Sequence, residues 1–211
     1  MISKGELARH LGKLKSFEFE KFERNAEKER IVYEQYSTDS EIAATIIWNA
    51  LQLGDIENKV IADLGAGTGI LGIGALLQGA KKVYFVEKNI KAIEILMKNL
   101  ESEDFLEDKR GIIVNEDVEN FKERVDIVLT NPPFGTKRKH SDRVFVEKAC
   151  EIAKIAYSFH KSETLEFIYK VIERKGKGAE RRWDFDFPLK ATMSFHKSRI
   201  RKIAVSCIRF L

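Results

Sequence analysis

The chain has 211 residues, of which 44% are hydrophobic and 33% charged, with a formal net charge of +4. That balance excludes a disordered tract, and no run approaches the roughly 20 apolar residues needed to span a bilayer. Charges among the leucines of Met1 to Lys15 leave no apolar signal core, so a cytoplasmic location is expected. The length suits one domain over residues 1–211, with residues 1–30 as an N-terminal helical extension. Cys150 and Cys207 are too few for a disulfide framework, and no Cys/His cluster has metal-ligand spacing. Both are expected as reduced core residues, with no metal site.

Leu7, Leu11 and Leu14 recur at helical spacing, which predicts a helix over residues 3–17. Residues 18–30 are densely charged and fit a helix or an arm. Ile42, Ala43, Ile46, Ile47, Ala50 and Leu51 mark a helix over Ser40–Leu53, and Thr38-x-x-Glu41 reads as its capping box. An alternation follows: strand Lys59–Leu64, helix Ile70–Leu77, strand Lys82–Val86, then a helix marked by Ile90, Ile93, Met97 and Leu100. Strands at Ile112–Val114 and Val125–Leu129 precede a helix marked by Val144, Phe145, Lys148, Ala149 and Ile152. The tail reads as strand Ala156–Phe159, helix Thr164–Arg174, and strands Arg181–Phe187 and Ile203–Phe210. Such alternation implies right-handed crossovers and a mostly parallel sheet covered by helices on both faces. Ligands of such sheets bind at the carboxyl ends of the strands, where Gly65, Glu87, Asp117 and Asn131 fall.

The first of these ends reads Asp63-Leu64-Gly65-Ala66-Gly67-Thr68-Gly69-Ile70. Alternate glycines let the backbone bend sharply and let a ligand approach where a Cβ would clash. Three readings fit the loop by itself: a bare strand-to-helix turn, a dinucleotide site, or a site for S-adenosylmethionine. Gly67-x-Gly69-x-x-Gly72 satisfies the dinucleotide pattern and Glu87 lies at a suitable distance beyond it. Against that, the glycines begin at Gly65, in which register the third position is Ile70. Asp63 also places a carboxylate where a methionine ammonium could be held. Glu87 can accept from both ribose hydroxyls, and Asp117, with Val118 beside the ring, can accept from an adenine amine; each is equally legible as a solvated acid.

Asn131-Pro132-Pro133-Phe134 follows the apolar strand and is the most specific feature of the chain. Two prolines remove two backbone donors and fix φ, so the loop is stiff and presents carbonyls. The amine of adenine is a poor nucleophile because its lone pair is delocalised into the ring. The Asn131 side-chain oxygen and the Pro132 carbonyl can each accept one of its N–H bonds, turning the lone pair toward a methyl donor. Placement is then the main catalytic contribution, and Phe134 offers a face for an extruded base.

These residues resemble a known family. The Asn/Asp-Pro-Pro-aromatic motif after a fourth strand is that of class I amino-methyltransferases. From Glu34 to Leu211 the chain is similar to the small-subunit ribosomal RNA adenine N(6)-methyltransferases of archaea and eukaryotes, the methyltransferase-like-five family. The carriers are Glu34-Gln35-Tyr36 with Thr38, the Asp63–Ile70 loop, Asn131 to Thr136, Ser158-Phe159-His160-Lys161-Ser162, Phe195-His196-Lys197 and Ile208-Arg209-Phe210. The resemblance implies a Rossmann-like seven-stranded sheet with one antiparallel strand. It implies S-adenosyl-L-methionine as cofactor, held by Gln35, Thr38, Asp63, Gly65, Gly67, Thr68, Gly69, Ile70, Glu87, Asp117 and Val118. It implies catalytic roles for Asn131, Pro132, Pro133 and Phe134. Ser37 stands where proline is usual and Glu87 where aspartate is.

Lys137-Arg138-Lys139 follows the catalytic loop, where cations would meet phosphates beside the target base. His160, Lys161, His196 and Lys197 join them as expected RNA contacts. Ile112–Val114 is expected at the sheet edge, either open to strand addition or covered by the N-terminal helix. For an open edge, the resemblance suggests a small zinc-containing activator as partner, besides small-subunit ribosomal RNA. The competing readings are a methyltransferase of the 2-amino group of guanine or of a protein glutamine amide, a nicotinamide-dependent oxidoreductase, and a non-catalytic RNA-binding module.

Overall fold

The computed structural model describes residues 1–17, 38–133, 142–189 and 201–211. Seven strands form one sheet: β1 Val60–Leu64, β2 Lys82–Val86, β3 Gly111–Val114, β4 Val125–Thr130, β5 Ala153–Lys161, β6 Ala179–Leu189 and β7 Arg201–Phe210. Their order is β3-β2-β1-β4-β5-β7-β6. β7 runs antiparallel to both β5 and β6, and every other pairing is parallel. This is the expected Rossmann-like sheet with a single reversed strand. Among the described residues six α-helices pack on it: α1 Lys4–Leu11, α2 Ser40–Gln52, α3 Ile70–Leu77, α4 Ile90–Glu101, α5 Arg143–Ile152 and α6 Leu165–Arg174.

Strand side chains alternate between two apolar layers. Ile61, Val83, Phe85, Ile127 and Leu129 pack with α1, α2, α3 and α4 on one face. Ala62, Leu64, Val86 and Val128 pack with α5 and α6 on the other. The 3.6-residue period of each helix is therefore met by the two-residue period of the strands. Strands run longer than their apolar cores predicted: β5 begins at Ala153 rather than Ala156, because the backbone ladder with β4 continues past the hydrophobic stretch.

Two helix boundaries differ from the sequence reading. α1 ends at Leu11 and not near residue 17. The Lys15 amide donates to Asn99 Oδ1 at 2.8 Å and its carbonyl accepts from Asn99 Nδ2 at 3.0 Å, which pulls this backbone out of the helical ladder. The N-cap of α2 is Asp39, whose carboxylate accepts from Glu41 and Ile42 amides; Thr38 is not the cap. α1 also docks against the helical layer, with Leu7 and Leu11 buried. Residues 18–30 of the expected extension lie outside the described residues.

β3 occupies one edge of the sheet and β6 the other, as expected for Ile112–Val114. Both cysteines are free, and burial pushes each thiol up. Among the described residues no helix is long and apolar enough to cross a membrane, and no cluster of His, Cys, Asp and Glu could hold a metal.

Candidate active site

The chain steps from β1 outward through β2 to β3, then returns to the other side of β1 as β4 and continues to β5. The order reverses between β1 and β4, which leaves a crevice at their carboxyl ends. Leu64 pairs with Thr130 at the last register position, so Gly65 and Asn131 are the next residues of two adjacent strands. Thr130 Oγ1 donates to the Leu64 carbonyl at 2.8 Å, a side-chain bond between the two strand ends. The glycine loop and the Asn-Pro-Pro motif therefore share one crevice, although 66 positions separate the residues of that bond.

Gly65, Gly67 and Gly69 all have positive φ, at 69°, 57° and 92°. They face different surroundings. A Cβ on Gly65 would lie 2.8 Å from Phe145, and one on Gly69 would lie 2.4 Å from Leu96. A Cβ on Gly67 would meet nothing within 4 Å. Gly67 thus fronts open space, the cradle a bound ligand needs, while its neighbours are closed by the protein. Gly72 lies so close over Phe85 that a Cβ would approach to 2.3 Å, so the last glycine of the dinucleotide-like pattern serves helix-to-sheet packing.

Three acidic side chains surround this loop. Glu87 is buried; its Oε2 accepts from the Gly67 amide at 2.9 Å and its Oε1 from the Lys88 and Asn89 amides. It ties the end of β2 to the loop, and each oxygen keeps acceptor capacity for a hydroxyl. Asp63 is 2% exposed, and its Oδ2 accepts from the Gly72 amide in α3 at 2.9 Å. Burial pushes its carboxyl up to about 7, the Gly72 amide opposes the rise, and Glu87 adds to it. Asp117 caps the single turn Val118–Asn120 and accepts from Lys88 Nζ at 2.8 Å. That hydrogen bond holds its carboxyl below the usual range. Val118 is buried beside it.

On the β4 side, Asn131 Nδ2 donates to Thr38 Oγ1 at 2.8 Å. Asn131 Oδ1 is buried, and among the described residues no donor reaches it. Pro132 is buried and Pro133 half-buried behind it. Thr38 thus meets Asn131 directly, a contact that the sequence reading, which placed it against the cofactor and as a cap, did not include.

Other expected contacts separate. His160 is fully buried between Ser158 Oγ at 2.7 Å and Asp142 Oδ2 at 3.0 Å. Its ring reaches no surface, so the expectation that it meets RNA is corrected: its alternation in β5 turns it under α5. Lys161 keeps 30% of its side chain exposed, near Glu163. Gln35, Phe134, Lys137, Arg138, Lys139, His196 and Lys197 lie outside the described residues. The sequence reading missed Asn99, whose Nδ2 also donates to the Thr68 carbonyl at 2.9 Å. Its signal was a polar residue among the apolar positions Ile93, Leu96 and Leu100 of α4.

Comparisons with known proteins agree with this geometry. The family model described as methyltransferase small domain matches residues 32–155. A Danio rerio relative, the rRNA N(6)-adenosine-methyltransferase METTL5, is 33% identical, with 87% of this chain and 91% of that one covered. An uncharacterized Methanocaldococcus jannaschii protein, MJ0284, is 34% identical, with 83% of each chain covered. The crystal structure of PH1948 from Pyrococcus horikoshii, a candidate RNA methyltransferase, is 40% identical at a TM-score of 0.83, covering 100% of this chain and 98% of that one. A donor of this class supplies an electrophilic methyl on a sulfonium, and the open cradle at Gly67 with the acids Asp63, Glu87 and Asp117 around it is a setting that fits such a cation. The chain is an S-adenosylmethionine-dependent enzyme of the methyltransferase small-domain family, similar over most of its length to the METTL5 rRNA N(6)-adenosine-methyltransferases.

Proposed function

We propose that the chain methylates the exocyclic amine of an adenine in RNA, with small-subunit ribosomal RNA as its substrate. The observation that carries this reading is the Asn131 amide. Its Nδ2 is committed to Thr38, which leaves Oδ1 as a buried acceptor with no donor among the described residues. A buried acceptor left unmet costs about 1–3 kcal/mol, so such a group is kept where a ligand supplies the donor. An aromatic amine is such a donor. Asn131 Oδ1 accepts one N–H and the Pro132 carbonyl the other, so the nitrogen's lone pair faces the donor methyl. The protein orients the amine, and no strong base is needed because the proton is acidic once the nitrogen is methylated.

In this proposal Glu87 takes the ribose hydroxyls, Asp63 the methionine ammonium, and Asp117 with Val118 the adenine of the cofactor; Gln35 completes the pocket. Phe134 stacks on the flipped target base, and Lys137, Arg138, Lys139, Lys161, His196 and Lys197 meet flanking phosphates. A looped or single-stranded target avoids the cost of opening a duplex. A small zinc-containing activator adds a strand at β3, the edge next to β2. Ribosomal RNA as substrate goes with a cytoplasmic setting.

The test is transfer of labelled methyl from S-adenosylmethionine to small-subunit RNA, followed by digestion to nucleosides. The label is expected in N6-methyladenosine, and Asn131→Ala is expected to lower the rate about 100-fold with S-adenosylhomocysteine binding retained. Label in N2-methylguanosine or in protein would refute the adenine assignment. An unchanged rate for Asn131→Ala would remove this side chain from the mechanism.

A further inference from the structure

Beneath the catalytic crevice lies a buried hydrogen-bonded relay that the methyl-transfer reading does not use. His160 and Ser158 point to the same face of β5, two residues apart, and both are fully buried. Ser158 pairs with Thr130, the residue before Asn131. His160 Nδ1 lies 3.0 Å from Asp142 Oδ2, and Nε2 lies 2.7 Å from Ser158 Oγ. An ionised carboxylate only accepts, so Nδ1–H donates to Asp142 and the Ser158 hydroxyl donates to Nε2. Burial holds the ring below its ordinary pKa, which keeps it neutral in that tautomer. The arrangement has the order of a nucleophilic triad. Ser158 is closed off from any substrate, so it does not act as one.

Asp142 explains what the relay is for. It stands at the N-cap of α5, where an Asp side chain ordinarily accepts from the first amides of the helix. Here its side chain makes no such cap and turns to His160 instead. Three residues further, one turn into α5, Phe145 closes over Gly65, where a Cβ on the glycine would stand 2.8 Å from its ring. The first turn of α5 therefore backs the glycine loop through Phe145. The relay fixes that turn to β5.

We infer that His160, held between Ser158 and Asp142, is a positioning residue that locks the first turn of α5 and thereby sets Phe145 against the cofactor loop. The inference rests on the methyltransferase reading for its ligand, but not on the identity of the acceptor base.

The experiment uses the full chain and isothermal titration with S-adenosylhomocysteine, alongside methyl transfer to small-subunit RNA. An Asn side chain places an amide donor where Nδ1 stands, whereas Gln places its amide nearer Nε2. Asp142→Ala and His160→Gln are expected to weaken S-adenosylhomocysteine binding about tenfold, with His160→Asn restoring it to within about threefold of the parent chain. Asp142 is partly exposed, so its variant tests the relay even where a His160 variant fails to fold. Folded Asp142→Ala that binds like the parent chain overturns the inference. So does His160→Asn impaired as severely as His160→Gln, since bulk and not the donor would then decide. If the acceptor assignment itself fails, the parent chain binds S-adenosylhomocysteine without methylating RNA, and the binding comparison still stands.

Discussion

Single side chains at the crevice are set by what their second polar atom is doing. Asn131 presents an acceptor because Thr38 takes its amide nitrogen. Glu87 braces the loop because three backbone amides hold its oxygens. Asp63 differs, since one amide bond does not offset full burial and its carboxyl sits at about 7 against an ordinary 3.8. Between those values the folded chain keeps a proton that the unfolded chain has released. Stability is therefore expected to fall as pH rises through that window and to level off above it. Asp63→Asn keeps an acceptor for the Gly72 amide but has no charge to bury. Urea denaturation across the same window should show its slope flattened, and a slope equal to the parent chain's would place the titration elsewhere.

Among the elements, the loop between β1 and α3 separates two uses of the same residue type. Gly67 and Gly69 both lie in the left-handed region, but only Gly69 is enclosed, by Leu96, Ile73 and Phe85. Gly69→Ala adds a clash to the backbone strain and is expected to cost about 3 kcal/mol of stability. Gly67→Ala carries the strain alone, about 1 kcal/mol, but projects a methyl into the cradle. Its expected signature is a small shift of the melting temperature with S-adenosylhomocysteine affinity lowered at least about tenfold. A melting shift for Gly67→Ala as large as that for Gly69→Ala would contradict this division. The spacing of these glycines was legible in the sequence. Their different enclosure was not, because Leu96 and Phe145 come from α4 and α5, distant in the chain.

Across the whole molecule, the last strand is stapled to the entry of the first. Arg209 Nε donates to Asp55 Oδ2 at 2.7 Å and its Nη2 to Asp55 Oδ1 at 3.3 Å, with Tyr157 OH donating to the same carboxylate at 2.6 Å. Glu180 of β6 pairs with Arg209 as well. Asp55 and Arg209 are both buried, so removing one partner strands the other charge. Arg209→Met is expected to cost about 3 kcal/mol, and Asp55→Asn combined with Arg209→Met to cost less than the two single changes together. Chemical denaturation of the four proteins checks this, and strict additivity would show that the pair is not coupled. The sequence by itself determined the elements, their alternation and the two motifs, because the apolar period, the glycines and the prolines act on neighbours a few residues away. It also placed those motifs at strand ends, where crevices form. What only the tertiary structure decided were the contacts between elements: Thr38 against Asn131, His160 turned under α5 instead of toward RNA, and Asn99 beneath Thr68. Each depends on which faces the sheet order brings together, and hydrogen bonds between distant positions leave no period in the chain from which they could be read.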